Sequence, residues 1–433
     1  MIDGRLLIPG SNSLIAVLAC VAIVACSAGG PDADGTGTWV GTITTEGNVT
    51  TVVNESGSVW SGPATLVEEA SIGVESGDAN YMFARLSAIY ATEDEIYVLD
   101  NTPALRVFDY SGTHLRNIGG VGQGPGEFQR PNWVGTTPDG RLFVADGGSR
   151  RINVYGPSPG MIDSWPMGRQ LCCLHPMVVT SEGVVWLESG VINEQRRAYD
   201  PAYLAHGPDG PADEPFMVPA YDYRRWTLTY DGREIDAVPY APEIVHAMTP
   251  AGLLVAGSSD TYRFEIISPD GPKTVVERYW DPVTLSDLEI DYETRSTRSR
   301  FSANEAGTEV ELVWDGRLPP HKPAFRSFLP TADGDIWVSR EGPGRPIEDC
   351  DPSEMVPSPL GRGPDRPRRC SLPTTIIDAF DGEGRYLGEV DFGGRMPIPS
   401  RSVVIGGSLI TESQDEAGTI IVKRFRLVPP GDE

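Results

Sequence analysis

The feature that most constrains the fold is an internal repeat whose two clearest copies begin 46 residues apart. Residues 95–112 read EIYVLDNTPALRVFDYSG, and residues 141–160 read RLFVADGGSRRINVYGPSPG. In both copies a strand of alternating apolar residues ends in an aspartate, Asp100 or Asp146, and a short turn leads to a second such strand. Repeats of roughly 20–50 residues are typical of folds that multiply one structural unit.

Four further copies of the first strand extend this pattern. They lie at residues 184–189, 253–258, 335–340 and 408–413, and each follows an apolar stretch and a turn. Six copies predict an all-β fold, a six-bladed β-propeller of four-stranded antiparallel blades, because radial closure leaves few exposed strand edges. The 49 Gly and 38 Pro residues suit the many turns of such a fold and exclude a helical bundle.

The last copy lacks a recognisable outer strand, because the chain ends soon after the apolar run at 420–428. Residues 66–73 resemble the outer strand at 114–119 of the first copy. This likeness predicts that an N-terminal strand closes the last blade. We therefore assign residues 64–430 to the propeller and expect a hairpin at 39–53 to pack on its outside.

Insertions explain why the later copies are spaced unevenly. The second of them is predicted to contain the one short helix, with Thr284 as N-cap, Asp287 three residues on, and Leu285, Leu288 and Tyr292 on one face. The three insertions are residues 201–240, 281–307 and 341–373.

The start of the chain predicts export. An apolar run from Leu14 to Ala25 is too short for an ordinary membrane span and suits a signal peptide. It leads to Cys26 in a pattern like a bacterial lipobox. This pattern predicts a signal peptide at 1–26 and a lipid on Cys26 that attaches the protein to a membrane. Residues 27–63 are then predicted to form a flexible tether and a hairpin. Cys20 as the lipid site, an ordinary signal peptide and a misplaced start codon are the alternatives.

Export to an oxidising compartment allows the remaining cysteines to pair. Cys350 and Cys370 flank a segment rich in Pro and Arg, and a disulfide between them is predicted. Cys172 and Cys173 are adjacent, and the sequence leaves open a bridge between them, other partners, or burial as thiols.

The glycine-rich run before the second copy carries a family resemblance. Residues 119–156, GGVGQGPGEFQRPNWVGTTPDGRLFVADGGSRRINVYG, are similar to the NHL repeat, and residues 64–430 resemble the bacterial six-bladed β-propeller family. Many members are exported and uncharacterised, so the resemblance implies architecture more than activity. NHL-like lyases and the gluconolactonase group bind metals in their channels, with Asp, Glu or Asn side chains of inner strands among the ligands. In this sequence, Asn132 and Glu243 are the plausible ligands of that type.

Basic residues recur where inner strands are predicted to begin, which places them around one mouth of the channel. Such a ring suits an anionic ligand, a carboxylate or a sulfated sugar, which arginine grips with two hydrogen bonds. The alternative is that these cations pair with some of the 61 acidic residues. The candidate ligand-binding residues are Arg85, Arg130, His175, His246, Lys322 and Arg326, and Arg401 has a similar position.

A metal site is the less favoured prediction for the channel. His175, His246 and His321 fall on or near three inner strands, where catalytic zinc needs three converging ligands. Independent histidines with local hydrogen bonds are the more ordinary expectation, and no cofactor is predicted unless an enzyme alternative with Ca²⁺ or Zn²⁺ applies.

Two loop features are further candidates for partner binding. Arginines concentrate at 361–370, and a loop constrained by a disulfide is suited to binding a partner. The more ordinary explanation is a solvent-exposed loop without a binding role. Aromatic residues at 221–230 suit sugar stacking or packing of the insertion against blade 4. They are Tyr221, Tyr223, Trp226 and Tyr230.

The net charge of −26 makes nucleic-acid binding improbable, because it repels phosphate backbones. We expect an exported, lipid-anchored propeller of the cell envelope that binds a protein, peptide or glycan. The alternative function is a lactonase, lyase or glycan-acting enzyme with a metal or an acid/base pair in the channel.

Overall fold

Six antiparallel sheet units build most of the molecule, each corresponds to one copy of the sequence repeat, and the last two are joined into one eight-stranded sheet. The computed structural model describes residues 37–431 apart from 101, 103, 158–159, 169–175, 194–197, 303–307, 358–363, 393–396 and 416. The sheets are the blades of a six-bladed β-propeller, and we number them in chain order. The predicted fold class is confirmed.

Blades 1 to 3 contain the first half of the repeats. Within each, the strands run from the inner to the outer edge of the sheet in chain order. Blade 1 consists of Leu86–Ala91, Glu95–Asp100, Leu105–Asp109 and His114–Ile118. Blade 2 consists of Pro131–Thr136, Leu142–Asp146, Arg151–Tyr155 and Met161–Pro166. Blade 3 consists of Val178–Val179, Val185–Asn193, Ala198–Gly207 and two short outer segments, Gly210–Pro211 and Phe216–Met217.

Blades 4 to 6 continue the same order. Blade 4 consists of Ile244–Met248, Leu254–Ser258, Arg263–Ile267 and Lys273–Arg278. Blade 5 consists of Ser327–Pro330, Ile336–Glu341, Thr375–Phe380 and Tyr386–Asp391. Blade 6 consists of Ser402–Ile405, Ser408–Gln414, Ile420–Val428 and, as its outer strand, Ala64–Ile72.

The outer strand of blade 6 closes the ring as predicted. Ala64–Ile72 pairs antiparallel with Ile420–Val428, with Thr65 opposite Val428 and Ile72 opposite Val422. The start of the same strand also pairs in parallel with the outer strand of blade 5. Strands from the two ends of the described chain therefore share one sheet.

The remaining elements are inserted between or outside the blades. The insertion predicted at 201–240 is shorter than expected, because residues 201–207 continue the third strand of blade 3 despite Pro201. The elements outside the blades are α1 (Asp287–Arg300), the 3-10 turns Ala79–Tyr81 and Pro399–Arg401, and the short strands Leu228–Tyr230, Arg233–Ile235, Leu312–Val313, Arg345–Pro346, Met355–Val356, Arg366–Pro367 and Ser371–Leu372.

Helix α1 differs from its prediction in cap and in buried face. The N-cap is Ser286, whose hydroxyl accepts from the Glu289 amide while the Glu289 carboxylate accepts from the Ser286 amide. Thr284 lies before the helix, so the predicted cap was two residues early. The helix buries Glu289 and Thr297 rather than an apolar stripe, because cationic residues of neighbouring segments face it.

Apolar side chains fill the interfaces between neighbouring blades. Between blades 4 and 5, the ring of Phe264 lies with its centroid 5.3 Å from both Phe328 and Phe380, and all three are fully buried. Comparable clusters join blades 1 to 3, blades 6 and 1, blades 5 and 6, and blades 3 and 4. The core is therefore a ring of interfaces, and each blade depends on both neighbours.

The predicted hairpin at 39–53 is present and its docking site is now defined. Val40–Glu46 pairs with Val49–Ser56, and the second strand adds in parallel to the outer strand of blade 4. Asn54 is 3% exposed and fixes this arrangement. Its Oδ1 accepts from Trp39 Nε1 and from the Tyr386 amide at 2.8 Å each, and its Nδ2 donates to the carbonyls of Glu277 and Gly384.

We expect Asn54→Ala to lower the free energy of unfolding by about 3 kcal/mol, because it leaves several buried polar groups of blades 4 and 5 without partners. Urea unfolding followed by tryptophan fluorescence measures this loss. Asn48→Ala is the matched control, since Asn48 is exposed in the turn of the same hairpin and its side chain makes one hydrogen bond, to the Gly271 carbonyl. Equal effects of the two variants would contradict the role given to Asn54.

Candidate functional site

The mouth of the channel where the inner strands begin is the candidate site. In blades 1 and 2, Leu86 lies opposite Asp100 and Pro131 lies opposite Asp146, so each inner strand begins where the second strand ends. The same pairing recurs in blades 4, 5 and 6. Neighbouring inner strands contact one another in blades 1 and 2, 4 and 5, 5 and 6, and 6 and 1.

Asp146 fixes the backbone that carries Arg130. This aspartate is fully buried, and its carboxylate accepts from the backbone amides of Gln129 at 2.9 Å and Arg130 at 2.8 Å. Burial alone would raise the pKa of Asp146, but these donors and Ser149 outweigh it and hold the pKa below its usual value. The aspartate of the sequence repeat is therefore a structural anchor for the segment at the mouth.

Asp100 has a corresponding role in blade 1, through an intermediate arginine. The buried Asp100 carboxylate lies 2.9 Å from Arg106 Nη1. Arg106 also donates to the carbonyl of Met82, at 3.2 Å, in the segment that leads to Arg85. Arg85 and Arg130 thus occupy equivalent positions, each directly before one of two adjacent inner strands. A buried aspartate holds the backbone near each arginine, Asp100 through Arg106 and Asp146 directly.

Both arginines present their side chains to solvent. Arg85 and Arg130 are exposed, and neither forms an ion pair or a side-chain hydrogen bond with any residue that the structure describes. We call these two residues the open arginines.

Lys322 is at the same mouth but is sequestered. Its side chain is fully buried, with Nζ 2.6 Å from Glu289 Oε1 and 2.8 Å from the Gly342 carbonyl. Glu341 lies 4.0 Å away on the other side, and the ring of Tyr240 is 5.5 Å from the ammonium. Because its hydrogen-bonding capacity is used internally, Lys322 is not presented to a ligand in this structure.

The cations of blades 5 and 6 are also paired. Arg326 lies 3.2 Å from Glu341 and 3.6 Å from Glu243, and Arg401 lies 3.0 Å from Glu412. The predicted basic ring is therefore divided into an open half on blades 1 and 2 and a neutralised half on blades 5 and 6.

The disulfide loop packs against α1 beside the neutralised half. Cys350 and Cys370 form the predicted bridge. Arg369, next to Cys370, lies 2.7 Å from Glu293 of α1 and over the ring of Tyr292. Arg368 pairs with Glu354 within the loop. Arg369 therefore joins the loop to the helix and Arg368 joins two parts of the loop, whereas Arg362 lies outside the described residues.

Two carboxylates of α1, one turn apart, have opposite electrostatic environments. Burial disfavours the charged form of Glu289, but Lys322 and the Ser286 donors outweigh it, so the pKa of Glu289 is lowered. Burial also raises the pKa of Glu293, and the negative charge of Glu341 raises it further. Arg369 lowers this pKa, but by less, so the net shift of the Glu293 pKa is upward. The Glu289 anion therefore stabilises the folded protein at the neutralised half. Ionisation of Glu293, in contrast, is less favourable in the folded than in the unfolded protein.

His246 is a buried interface residue. It is 7% exposed, with Nδ1 3.0 Å from the Tyr203 hydroxyl and Nε2 3.9 Å from Glu188 of blade 3. This position joins blades 3 and 4 rather than presenting the ring to solvent.

The histidines do not form a metal centre in the part of the chain described. His114 contacts Asn117, His206 contacts the carbonyls of Leu204 and Met167, and His321 pairs with the backbone of Thr284. No group of three or more His, Cys, Asp or Glu that could hold a metal occurs among the described residues. His175, Cys172 and Cys173 lie outside them.

The aromatic candidates separate into different surroundings. Tyr221 is half-buried, with its hydroxyl 3.4 Å from Glu265 of blade 4. Trp226 lies under the guanidinium of Arg224, and Tyr230 packs on Phe301 after α1. They do not form a single stacking platform.

Sequence reasoning missed the acidic partners of the mouth. Glu289 and Glu341 lie on a helix and a strand far apart in sequence, and only tertiary packing brings them to Lys322 and Arg326, as it brings Glu293 to Arg369. One local signal was available, because the Ser286–Glu289 spacing fits a capping box and places Glu289 in the first turn.

Comparisons with known proteins support the architecture. The DUF5128 family model, described as a 6-bladed beta-propeller, matches residues 75–156, which include blade 1 and most of blade 2. No curated protein matches this sequence.

Solved structures are similar over most of the chain. A member of the DUF4221 family from Bacteroides vulgatus ATCC 8482 is 10% identical, with 85% of this chain and 99% of that chain covered and a TM-score of 0.51. A candidate exported protein from Bacteroides fragilis NCTC 9343 is 9% identical, with 84% and 94% covered and a TM-score of 0.42. Virginiamycin B lyase from Staphylococcus aureus is 9% identical, with 83% and 98% covered and a TM-score of 0.37. At such identities the likeness concerns the fold alone.

The two α1 carboxylates should respond to pH with opposite signs. The pKa of Glu289 is depressed on folding, so its anion stabilises the fold above its usual pKa of 4.5, and this contribution is lost as the pH falls. We expect Glu289→Gln to cost about 3 kcal/mol at pH 7, because Lys322 remains buried without its anion, and to cost less at pH 4.

Glu293 supplies the matched comparison. Its pKa is raised on folding, so its ionisation destabilises the fold as the pH rises above 4.5. Glu293→Gln should therefore lose less stability than Glu289→Gln at pH 7, because removing an unfavourable ionisation offsets the loss of the ion pair with Arg369, and its stability relative to the natural protein should fall between pH 7 and pH 4. Urea unfolding at both pH values measures the two differences, and a loss at pH 7 for Glu293→Gln equal to that for Glu289→Gln would contradict the assignment.

Proposed function

We propose that this protein is a binding module that holds an acidic group of its ligand between the open arginines, Arg85 and Arg130. The observation that supports this is their exposure without partners among the described residues, on backbone segments anchored by the buried Asp100 and Asp146. Arginine binds carboxylate and sulfate groups through two parallel hydrogen bonds, and a fixed backbone reduces the entropy lost on binding.

The charge of the whole protein narrows the ligand class. A net charge of −26 repels polyanions at long range, whereas a pair of arginines attracts one acidic group at short range. We therefore favour a mostly neutral ligand that bears an isolated carboxylate or sulfate, such as a peptide terminus or an acidic sugar of an envelope partner.

The neutralised half of the mouth limits where such a ligand sits. Lys322, Arg326 and Arg401 already face carboxylates, and breaking the pair of the fully buried Lys322 would leave its charge uncompensated. The ligand is accordingly placed over blades 1 and 2.

The enzyme alternative, with Ca²⁺ or Zn²⁺ in the channel, stays a prediction. It needs converging ligands, and His175, one of its three candidate histidines, lies outside the described residues.

Attachment to the envelope through a lipid on Cys26 is the second part of the proposal. It rests on the apolar run that ends at Cys26, and the Cys350–Cys370 disulfide is compatible with an oxidising compartment. Across the described residues, no helix has the length and apolar character to cross a membrane.

Removing both open arginines should abolish the preference for an acidic ligand. Tri-alanine compared with its C-terminal amide, and galactose 6-sulfate compared with galactose, measure in calorimetric titrations the affinity that the acidic group adds. We expect at least one acid to bind more tightly than its neutral form, and Arg85→Ala/Arg130→Ala to reduce that gain about tenfold or more. Arg233→Ala, an exposed arginine on a short strand outside the blades, is the control.

Unchanged preference in the double variant would refute the role of the open arginines. Absence of any preference in the natural protein would do the same.

Purification from the membrane fraction tests the anchor. We expect the mature chain to begin at Cys26 and to carry the mass of attached acyl chains, and Cys26→Ser to leave the protein unlipidated. Intact-mass spectrometry decides this, and an unmodified N-terminus at another residue would refute it.

A further inference from the structure

An open cavity of about 470 Å³ lies between blade 3 and blade 4, apart from the open arginines. One wall is the segment Pro219–Asp222, which follows the outer segment of blade 3. The other wall is formed by the second and third strands of blade 4 and the turn between them. Its polar lining includes Tyr221, Asp222, Ser258, Asp260, Thr261 and Lys273.

At the base of the cavity, acidic and basic side chains form ion pairs and hydrogen bonds with one another. Glu265 is 6% exposed, and its carboxylate lies 2.9 Å from Lys273 and 3.6 Å from Arg263. Arg263 also lies 3.1 Å from Glu277, and the Tyr221 hydroxyl donates to Glu265. These contacts join the two walls, because Tyr221 belongs to one and Glu265 to the other.

Several polar groups of the lining remain without protein partners. Asp222 and Asp260 are exposed and form no ion pair or side-chain hydrogen bond within the described part of the chain. Ser258 is 6% exposed, and its hydroxyl is buried without a hydrogen-bond partner. A buried hydroxyl without a partner is costly, which is a reason to expect a ligand or an ordered water at this wall.

The chemistry of this lining suits a neutral sugar. Sugar hydroxyls both donate and accept, so carboxylates that accept and hydroxyl or ammonium groups that donate can satisfy neighbouring hydroxyls of one ring. Tyr221 adds an apolar ring next to these groups, and aromatic faces pack against the C–H surfaces of sugars. The charged pairs at the base neutralise one another, so the unpaired charge of this lining is that of Asp222 and Asp260.

We propose that this cavity is a binding site for a neutral mono- or disaccharide, with Asp222 and Asp260 accepting hydrogen bonds from its hydroxyl groups. The site is separate from the mouth and does not rest on the function proposed there. A ligand with a primary amine is the competing occupant, because the two free carboxylates would also attract a cation.

Titration of the intact protein with a defined set of sugars tests the proposal. The probes are cellobiose, maltose, lactose and the amine-bearing disaccharide chitobiosamine, followed by saturation-transfer NMR and calorimetry. We expect saturable binding of at least one neutral disaccharide, a loss of at least tenfold in affinity for Asp222→Ala/Asp260→Ala, and no change for Asp270→Ala. Asp270 is an exposed aspartate of the same blade, in the turn after its third strand.

The outcomes separate the competing explanations. Saturable binding of none of the neutral sugars would overturn the proposal, as would binding of chitobiosamine alone or equal binding by the double variant and the natural protein. Thermal unfolding of the variants establishes that they are folded. Tri-alanine binding by Asp222→Ala/Asp260→Ala should be unchanged, so failure at the cavity can be distinguished from failure at the open arginines.

Discussion

Closure of the ring by the strand Ala64–Ile72 is the constraint on which the rest of the structure depends. Three ion pairs reinforce its pairing with the last strand, from Lys423 to Glu68 and from Arg424 and Arg426 to Glu69. The paired residues are separated by more than 300 positions in the chain, so their contact forms only after a large loss of chain entropy. Since each core cluster joins neighbouring blades, an open ring would leave an apolar blade face in water. Rigidity of the mouth therefore follows from closure.

Regular repeats and insertions contribute differently to the mouth. Blades 1 and 2 follow the repeat closely, and their aspartates hold the backbone so that Arg85 and Arg130 project without partners among the described residues. In contrast, α1 brings Glu289 to Lys322, and Glu341 at the end of the second strand of blade 5 lies beside Arg326. Further out, Asp378 accepts from Tyr262 and Arg340 and joins blades 4 and 5 by a buried polar network. The insertions thus fill one side of a symmetric scaffold and leave the other available.

The sequence allowed the blades to be predicted because strand periodicity and turns are local signals. Closure by an N-terminal strand was predictable for the same reason, since 66–73 resembles another outer strand. The helix cap was misplaced because Thr284–Asp287 and Ser286–Glu289 both fit the capping spacing, and only Glu289 has a buried cation to face. Exposure could not be predicted from position, because Arg326 and Arg85 each directly precede an inner strand, yet tertiary packing places Glu341 beside Arg326 alone.

This difference also explains how a strongly acidic protein could accommodate the proposed site for an acidic group. Long-range repulsion from the net charge of −26 falls off within about 10 Å at ordinary salt concentrations, whereas hydrogen bonds to a guanidinium act at contact. Under the proposed function, the outer field would therefore select against polyanions, and the pair of arginines would select for a single acidic group. Where carboxylates of the protein itself reach the cations, as at Arg326 and Arg401, they occupy the positions that a ligand would take. The open half is available because the carboxylates of Asp100 and Asp146 accept hydrogen bonds from Arg106 and from backbone amides. They do not pair with Arg85 or Arg130, whose backbone segments they hold in place.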